Sequence, residues 1–388
     1  MRLLSFLGNS KFNALFEMRS LSNAPKIPKS EYAWFHCASL GEYEQTLPVI
    51  EEYVKSNPST PILLSFFSPS GYNPTVQNLP SWHREQDQIC ALPFDTPNRV
   101  RKFLKGVEYK IKFFVTCKYE VWPELLKQLQ EASIRTCLFS AHLPADSAIL
   151  RRSLIGDYLR WSLSKFSTIL TQDDKTVERL EVFGIQSQAF GDPRVDRVLQ
   201  LAQEFTPQEE LSNWKGNAKL VVAGSTWRPE ELSLTTLPWS DSHRLLIAPH
   251  DVSAKNIQEI LSLFNATSPT ASLLSEGRFD SPVIIADSMG QLSSFYHLAD
   301  LAVVGGGFGA GIHNILEPAA HGIRVITGPN ISRFREAEAL KYDGVLTVVR
   351  EKNKLATEIW DSISMENPSS TWLESQKGCA IKIASTLP

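Results

Sequence analysis

The chain has 388 residues, more than one hydrophobic core usually organises and enough for two domains. Hydrophobic residues at 43% and charged residues at 21% exclude a disordered or collagen-like chain, and a net charge of -3 gives no global reason to expect nucleic acid as a partner. The five cysteines, Cys37, Cys90, Cys117, Cys137 and Cys379, are scattered and form no CxxC pair, so neither a zinc site nor a disulfide framework is indicated. Cys37, Cys117 and Cys137 lie inside apolar runs and are expected to be small core residues, which fits a reducing cytoplasm.

No apolar run reaches the roughly eighteen residues that a spanning helix needs. Residues 1–30 nevertheless carry Arg2, Lys11, Arg19, Lys26 and Lys29 against the single acid Glu17, interleaved with Leu3, Leu4, Phe6, Leu7, Phe12, Leu15 and Phe16. Two readings stay open for this segment: a short helix lying on an anionic membrane surface, or a helix packed on the body of the protein. It lacks the cleavage pattern of a signal peptide.

Beyond it, strands and helices alternate. Residues 32–39 read as a strand, 42–55 as a helix, 61–67 and 89–94 as strands, and 97–107 as a helix. Residues 110–117 read as a strand, 123–132 as a helix, 135–141 and 167–172 as strands, and 173–183 as a helix with Asp173 or Asp174 as its cap. The strands are nearly continuous apolar runs, which predicts burial on both faces and hence a parallel sheet covered by helices. A polar, helix-poor passage at 193–217 reads as a linker. The alternation then restarts, with strands at 219–225, 244–249, 283–287, 301–305 and 324–327 and helices at 253–264, 291–299 and 314–321. The fold class predicted is α/β, with two doubly wound halves and a ligand cleft at the carboxyl ends of both sheets.

The densest signal is the run Gly305-Gly306-Gly307-Phe308-Gly309-Ala310-Gly311, which follows the buried strand Leu301–Val304 and precedes Ile312-His313-Asn314-Ile315-Leu316-Glu317. A strand, a glycine-rich loop and a helix start are how backbone amides gather around a phosphate. Glu317, about one turn into the helix, is placed to accept hydrogen bonds from ribose hydroxyls. Gly305-x-Gly307-x-x-Ala310 only loosely fits a dinucleotide fingerprint, because the next strand ends in Gly328-Pro329-Asn330 and offers no acid for an adenosine ribose. No Walker lysine is present, so the segment from Asp287 to Pro329 reads as a mononucleotide–sugar site, with glycines serving a tight turn as the plainer alternative.

These residues and several separate motifs closely resemble the 3-deoxy-D-manno-octulosonic acid (Kdo) transferases of lipopolysaccharide synthesis, a family of GT-B glycosyltransferases with two Rossmann-like domains facing each other across a cleft. Ala38-Ser39-Leu40-Gly41-Glu42 matches the family's Ser-x-Gly-Glu element, which implies that Glu42 is the general base. Ser65-Phe66-Phe67-Ser68-Pro69-Ser70-Gly71 matches its hydroxyl-rich loop, where Ser70 and Gly71 would cap the next helix or touch the acceptor beside Ser39 and Gly41. Lys118-Tyr119-Glu120-Val121-Trp122-Pro123 matches an element with two acids; Glu120 keeps the second and Lys118 replaces the first. In Gly191-Asp192-Pro193-Arg194 the family's lysine is an arginine, which implies that Arg194 meets anionic groups of donor or acceptor.

In the second half, Gly224-Ser225-Thr226-Trp227 resembles a Ser-Thr turn, and Pro249-His250 a Pro-Arg-His element without its arginine. Asp287-Ser288-Met289-Gly290 resembles the element that holds cytosine. The implied donor-nucleotide set is therefore Ser225, Thr226, Pro249, His250, Met289, Gly290, Gly306, Gly307, Gly311, His313, Asn314 and Glu317. Arg101 and Lys102 are offered for the acceptor's phosphates, a solvated basic face being the alternative.

The resemblance implies a membrane-proximal segment 1–20, an acceptor-binding domain 21–205, a donor domain 206–370 and a C-terminal helix within 371–388 that can return to the first domain. It implies transfer of Kdo from CMP-Kdo to the lipid A precursor (lipid IV-A), with no metal, no cofactor and no nucleic acid, at the anionic cytoplasmic face of the inner membrane. Alternatives are another GT-B transferase or epimerase, or an inactive nucleotide-binding scaffold.

Overall fold

In the computed structural model, residues 9–21, 25–204, 208–266, 270–332 and 334–388 are described. The chain forms two compact units: Met1–Arg197 together with Gly378–Pro388, and Val198–Lys377.

The first unit runs α1 (Asn9–Leu21), β1 (Tyr32–Cys37), α2 (Leu40–Ser56), β2 (Ile62–Phe66), α3 (Pro69–Gln77), β3 (Gln88–Ala91), α4 (Pro97–Gly106), β4 (Ile111–Cys117), α5 (Pro123–Glu131), β5 (Arg135–Ala141), α6 (Leu154–Leu163), β6 (Thr168–Thr171), α7 (Asp174–Glu181) and β7 (Gln188–Ala189). Its seven strands are all parallel, in the order β3-β2-β1-β4-β5-β6-β7. β1 shows why no alternation was visible in the sequence. Ala33, Phe35 and Cys37 pack into one cluster with α2, while Tyr32 and Trp34 pack into another with Leu104 of α4 and Leu125 and Leu129 of α5. Both faces of the strand are thus core, as the continuous apolar runs predicted. All five cysteines are free and buried.

α8 (Arg194–Glu204) and α9 (Glu209–Lys215) occupy the passage expected to be a helix-poor linker. The reading failed because polar residues there hide single apolar anchors: Val195, Leu211 and Trp214 are buried, and the Trp214 indole donates to the Ser281 carbonyl at 2.8 Å. Strand β8 (Lys219–Thr226) then begins the second sheet, followed by α10 (Arg228–Leu234), β9 (His243–Pro249), α11 (Ala254–Asn265), β10 (Ala271–Leu273), β11 (Val283–Ile285), α12 (Leu292–Tyr296), β12 (Leu301–Val304), α13 (Leu316–Ala320), β13 (Arg324–Thr327), α14 (Arg335–Tyr342), β14 (Leu346–Val348), α15 (Leu355–Ser362) and α16 (Thr371–Gln376). Its order is β10-β11-β9-β8-β12-β13-β14, again all parallel.

The last helix, α17 (Cys379–Thr386), belongs to the first unit. Cys379, Ala380, Ile383 and Leu387 join the core cluster beside α2, and the Tyr53 hydroxyl donates to the Pro388 carbonyl at 2.8 Å. Asp196 in α8 accepts the amides of Gly378 at 2.7 Å and Ala380 at 2.6 Å, so one carboxylate closes the amino end of α17.

Within α1, Met18 and Arg19 pack on the body of the unit while Phe16 remains 44% exposed. Met18 is buried, the Phe16 ring lies tilted with its centre 5.2 Å from that of Phe94, and the Arg19 guanidinium donates to the Leu92 and Phe67 carbonyls at 3.0 and 3.2 Å. It also lies 4.2 Å from the Phe94 ring centre. Burial first, and the charge of Arg99 second, lower its pKa to about 10. Arg19 is therefore a packing arginine and not a membrane contact. Arg2, Leu3, Leu4, Phe6 and Leu7 lie outside the described residues.

Replacing Asp196 by alanine removes the acceptor of both α17 amides and is expected to lower stability by about 1–2 kcal/mol, read as a lower urea midpoint with an unchanged slope. An unchanged midpoint would show that apolar packing alone holds α17.

Candidate functional site

In a parallel sheet the loops that follow the strands gather at the carboxyl edge. In the first unit these are the loops after β1, β2, β4 and β5, whose strands are neighbours. Glu42 lies in the first turn of α2 and accepts a hydrogen bond from the Ser39 hydroxyl. Its backbone carbonyl accepts from the Thr46 hydroxyl at 2.7 Å, and the Cys117 thiol lies 3.7 Å from the same carbonyl, which ties the start of α2 to the end of β4. Lys118 then turns the chain through a left-handed conformation (φ 59°), bringing Glu120 back. Burial first, and the Glu42 charge second, raise the Glu120 pKa to about 7 against the opposing effect of Trp122. Glu42 and Glu120 thus stand within electrostatic reach of each other at this edge, with Glu120 partly protonated near neutrality.

Other residues of this set have different roles. Gly71 is buried, and a methyl group there would lie 2.5 Å from the Phe66 ring, so the glycine lets α3 approach the β2 strand. The helix is capped by Ser68, whose hydroxyl accepts from the Ser70 amide at 3.3 Å, and not by Ser70 or Gly71. Ser70 is exposed, and a side chain at Gly41 would meet only the Ser39 hydroxyl, at 3.9 Å. Arg101 and Lys102 are exposed on α4.

Arg194 departs from expectation. Its guanidinium forks onto the buried carboxylate of Asp192 at 2.8 and 2.6 Å, so much of its charge is offset inside the protein. Asp192 also accepts from Gln45 of α2 at 2.9 Å and Gln172 at 3.1 Å. Burial alone would raise the Asp192 carboxyl; the Arg194 charge and hydrogen bonds, with Lys118 beyond, hold it below the usual range. His142 is paired with Asp173, the cap of α7, at 3.0 Å.

The second unit brings its predicted residues to the carboxyl edge of four adjacent strands, β11, β9, β8 and β12. Pro249 and His250 end β9, Met289 and Gly290 sit exposed on the turn after β11 (Gly290 φ 91°), and Ser225 leaves β8 in a left-handed conformation (φ 51°). Thr226 is buried and donates to Glu231 at 3.3 Å, which makes it an internal support and not a ligand contact.

The glycine loop is drawn tightly onto its neighbours. Methyl groups at Gly305 and Gly307 would strike the backbone of Ser225 and of Gly328, the latter 2.5 Å from its amide nitrogen. Gly306 (φ 88°) and Gly311 (φ 143°) adopt conformations only glycine takes readily, and the Gly311 amide donates to the Gly306 carbonyl at 3.2 Å. The Gly306 amide is already occupied: it donates to the Glu230 carboxylate at 3.1 Å, whose other oxygen accepts the Trp227 amide at 3.1 Å. Sequence reading gave Gly306 to a phosphate; an internal carboxylate holds it instead. At α13, Asn314 accepts the Leu316 amide at 3.0 Å and donates to Glu317 at 2.8 Å, so these two form one polar unit.

His250 and His313 stack with ring centres 4.5 Å apart, Trp227 stacks on His250 at 4.6 Å, and the Trp227 indole donates to His313 Nε2 at 3.2 Å. That acceptor role puts the His313 proton on Nδ1. Burial first, and His250 second, lower the His313 pKa, keeping the ring neutral. Trp227 and Glu230 belong to the stretch whose resemblance to the family's Ser-Thr turn was noted in the sequence together with Glu231, but neither was assigned a site role.

Residues 14–197 match the family model of the 3-deoxy-D-manno-octulosonic-acid transferases. That stretch is a Kdo transferase family domain. A 3-deoxy-D-manno-octulosonic acid transferase of Rickettsia felis is 28% identical over 383 residues, covering 92% of this chain and 78% of that protein. A bifunctional glycosyltransferase/methyltransferase of Fusobacterium nucleatum is 24% identical over 329 residues, covering 82% of this chain, and the chain spans only 50% of its length. The solved UDP-GlcNAc 2-epimerase of Neisseria meningitidis, bound to UDP-GlcNAc, superposes with a TM-score of 0.63 at 13% identity, covering 92% of this chain and 99% of that one. That likeness establishes the fold as GT-B, two parallel-sheet α/β domains of seven strands each.

Because the Glu120 pKa stands above its ordinary 4.5, at about 7, its burial contributes stability that is present below pH 4.5 and lost as pH rises through 7. Glu120→Gln is expected to flatten the fall in unfolding free energy across that window; equal slopes in both proteins would show that Glu120 is not held in a low-dielectric site. Gly307→Ala is expected to lower stability by about 1–3 kcal/mol by thermal unfolding without any ligand present, since its methyl group meets backbone.

Proposed function

We propose that the chain transfers Kdo from CMP-Kdo to the acylated disaccharide precursor of lipid A, without a metal ion. The observation that carries the mechanism is the acid pair at the carboxyl edge of the first sheet, with Glu120 raised to about 7 beside Glu42. An alcohol acceptor must lose its proton as the glycosidic bond forms, and Glu42 is the group proposed to take it. The Ser39 hydroxyl, donating to that carboxylate, orients it at the start of α2. Glu120, with its pKa raised to about 7, lessens the negative charge standing near Glu42.

For the donor, Met289 and Gly290 are proposed to hold the base edge, the Asn314–Glu317 pair the ribose, and His250 with the Nδ1–H of His313 the single phosphate of CMP. This assignment moves the anion contact from the Gly306 amide, which Glu230 fills, to the imidazole pair. A neutral donor aimed at a developing phosphate charge stabilises the leaving group without a metal. The family's descriptions and the relatives' names support Kdo as the sugar.

Glu42→Gln is expected to slow transfer by about 100- to 10,000-fold while thermal stabilisation by CMP is kept; turnover like the wild type would remove Glu42 from the mechanism. Mass analysis of the product from CMP-Kdo and the tetra-acyl precursor checks donor and acceptor together. Protection by UDP in place of CMP would favour another GT-B transferase or an epimerase.

A further inference from the structure

Helix α6 breaks the pattern of its layer. Neighbouring helices α4 and α5 turn Arg101, Lys102, Lys105, Lys127 and Glu131 to water. α6 buries Gly156 and Leu163 against the unit, yet its outer side is apolar: Leu154 is 89% exposed, Ile155 68%, Tyr158 53% and Trp161 43%. Leu154, Tyr158, Trp161 and Lys165 recur at spacings of four, three and four, which stack them in one stripe along the helix, with Ile155 at its edge. The two rings stack 5.7 Å apart, and the Lys165 ammonium lies 4.9 Å over the Trp161 ring. Four large apolar side chains held together in water cost free energy that a folded surface normally avoids.

The rim of this stripe identifies the partner. Arg151 and Arg152 are exposed immediately before the Ser153 cap, and Lys165 stands at the far end. The single acid on the helix, Asp157, is already paired with Arg160. Cations around an apolar centre bearing a tyrosine and a tryptophan match a bilayer interface that carries anionic lipid, where the rings sit at headgroup depth and the cations meet phosphates. The helix is also rigidly presented. The Ser153 hydroxyl accepts the Gly156 amide at 3.1 Å, Arg160 donates to the Ile149 and Arg151 carbonyls, and Gly156 has no room for a side chain beside the Arg151 carbonyl.

We propose that the Leu154-Ile155-Tyr158-Trp161 face of α6, rimmed by Arg151, Arg152 and Lys165, is a docking surface for an anionic membrane. α6 follows β5, so its amino end, where Leu154 and Ile155 project, starts from the same carboxyl edge that carries Glu42 and Glu120. A bilayer seated on that end brings a lipid headgroup to the edge on which the acid pair stands. The surface is separate from α1, whose Met18 and Arg19 face the protein interior.

Co-sedimentation of the full chain with phosphatidylcholine vesicles, with and without phosphatidylglycerol, tests this apart from any turnover, so the transferase reading can fail while this one stands, and the reverse. Wild type is expected to bind the mixed vesicles. The combined Leu154→Gln, Ile155→Gln, Tyr158→Gln and Trp161→Gln variant is expected to bind at least about tenfold more weakly. Arg151→Glu with Arg152→Glu is expected to erase the preference for phosphatidylglycerol. Should the fourfold variant melt early, Ile155→Gln and Trp161→Gln taken singly must each lower partitioning. Binding that survives these changes but is lost when Leu3, Leu4, Phe6 and Leu7 are made polar would overturn the proposal. So would a wild-type dimer that the fourfold variant converts to monomer with vesicle binding intact, since the face would then belong to a second copy of the chain.

Discussion

Three elements of the first unit meet on the buried carboxylate of Asp192. Asp192 accepts from α2 through Gln45, from the end of β6 through Gln172, and from its own α8 through Arg194. A charge so deep is tolerated only when every oxygen is engaged, and here it is the meeting of three elements that engages them. Because Gln45 lies one turn after Glu42 on α2, the same network fixes the rotation of the helix that carries the candidate base. Arg194, which the family likeness assigned to substrate, serves this internal lattice; its charge stabilises Asp192 before it can be offered elsewhere.

A parallel principle governs the second unit, by the opposite means. There the glycine run removes side chains so that β12 can be followed by a loop lying against the backbone of the β8 and β13 ends. Closeness of that kind leaves little space for an anion among the first amides, and Glu230 supplies a carboxylate where a phosphate was expected. Beside that loop His250 and His313 stack on one another, and the Trp227 indole fixes the tautomer of His313. In sequence, a glycine-rich loop that cradles a ligand and one that cradles a carboxylate from its own chain look the same.

The sheets were legible because parallel strands buried on both faces must be continuous apolar runs; Tyr32–Cys37 and Leu301–Val304 could be little else. The short edge strands Gln188–Ala189 and Ala271–Leu273 were missed, since two or three half-exposed residues carry no period. The helices at 194–204 and 209–215 were missed because each spends only one or two apolar residues on the core. For the sites, residue types and their order after each strand were readable, which places the named residues at the carboxyl edges of the sheets. What sequence does not encode is which partner a side chain finds first: Glu120 facing Glu42, Arg194 turned on Asp192, and Thr226 drawn in by Glu231 are all decided by distances between elements far apart in the chain.

The return of α17 to the first unit bears on how the protein is made. Residues Gly378–Pro388 complete a core whose other members all precede Val198, and the whole second unit is translated between them. A nascent chain therefore holds the apolar flank of α2 uncovered, with Tyr53 and Ile50 awaiting Ile383 and Leu387, for as long as the ribosome takes to synthesise the intervening unit. The second unit, being continuous, can fold during that interval; the first cannot finish ahead of it. Birth order and assembly order are thus reversed, and the half that bears the acid pair is the one that closes last.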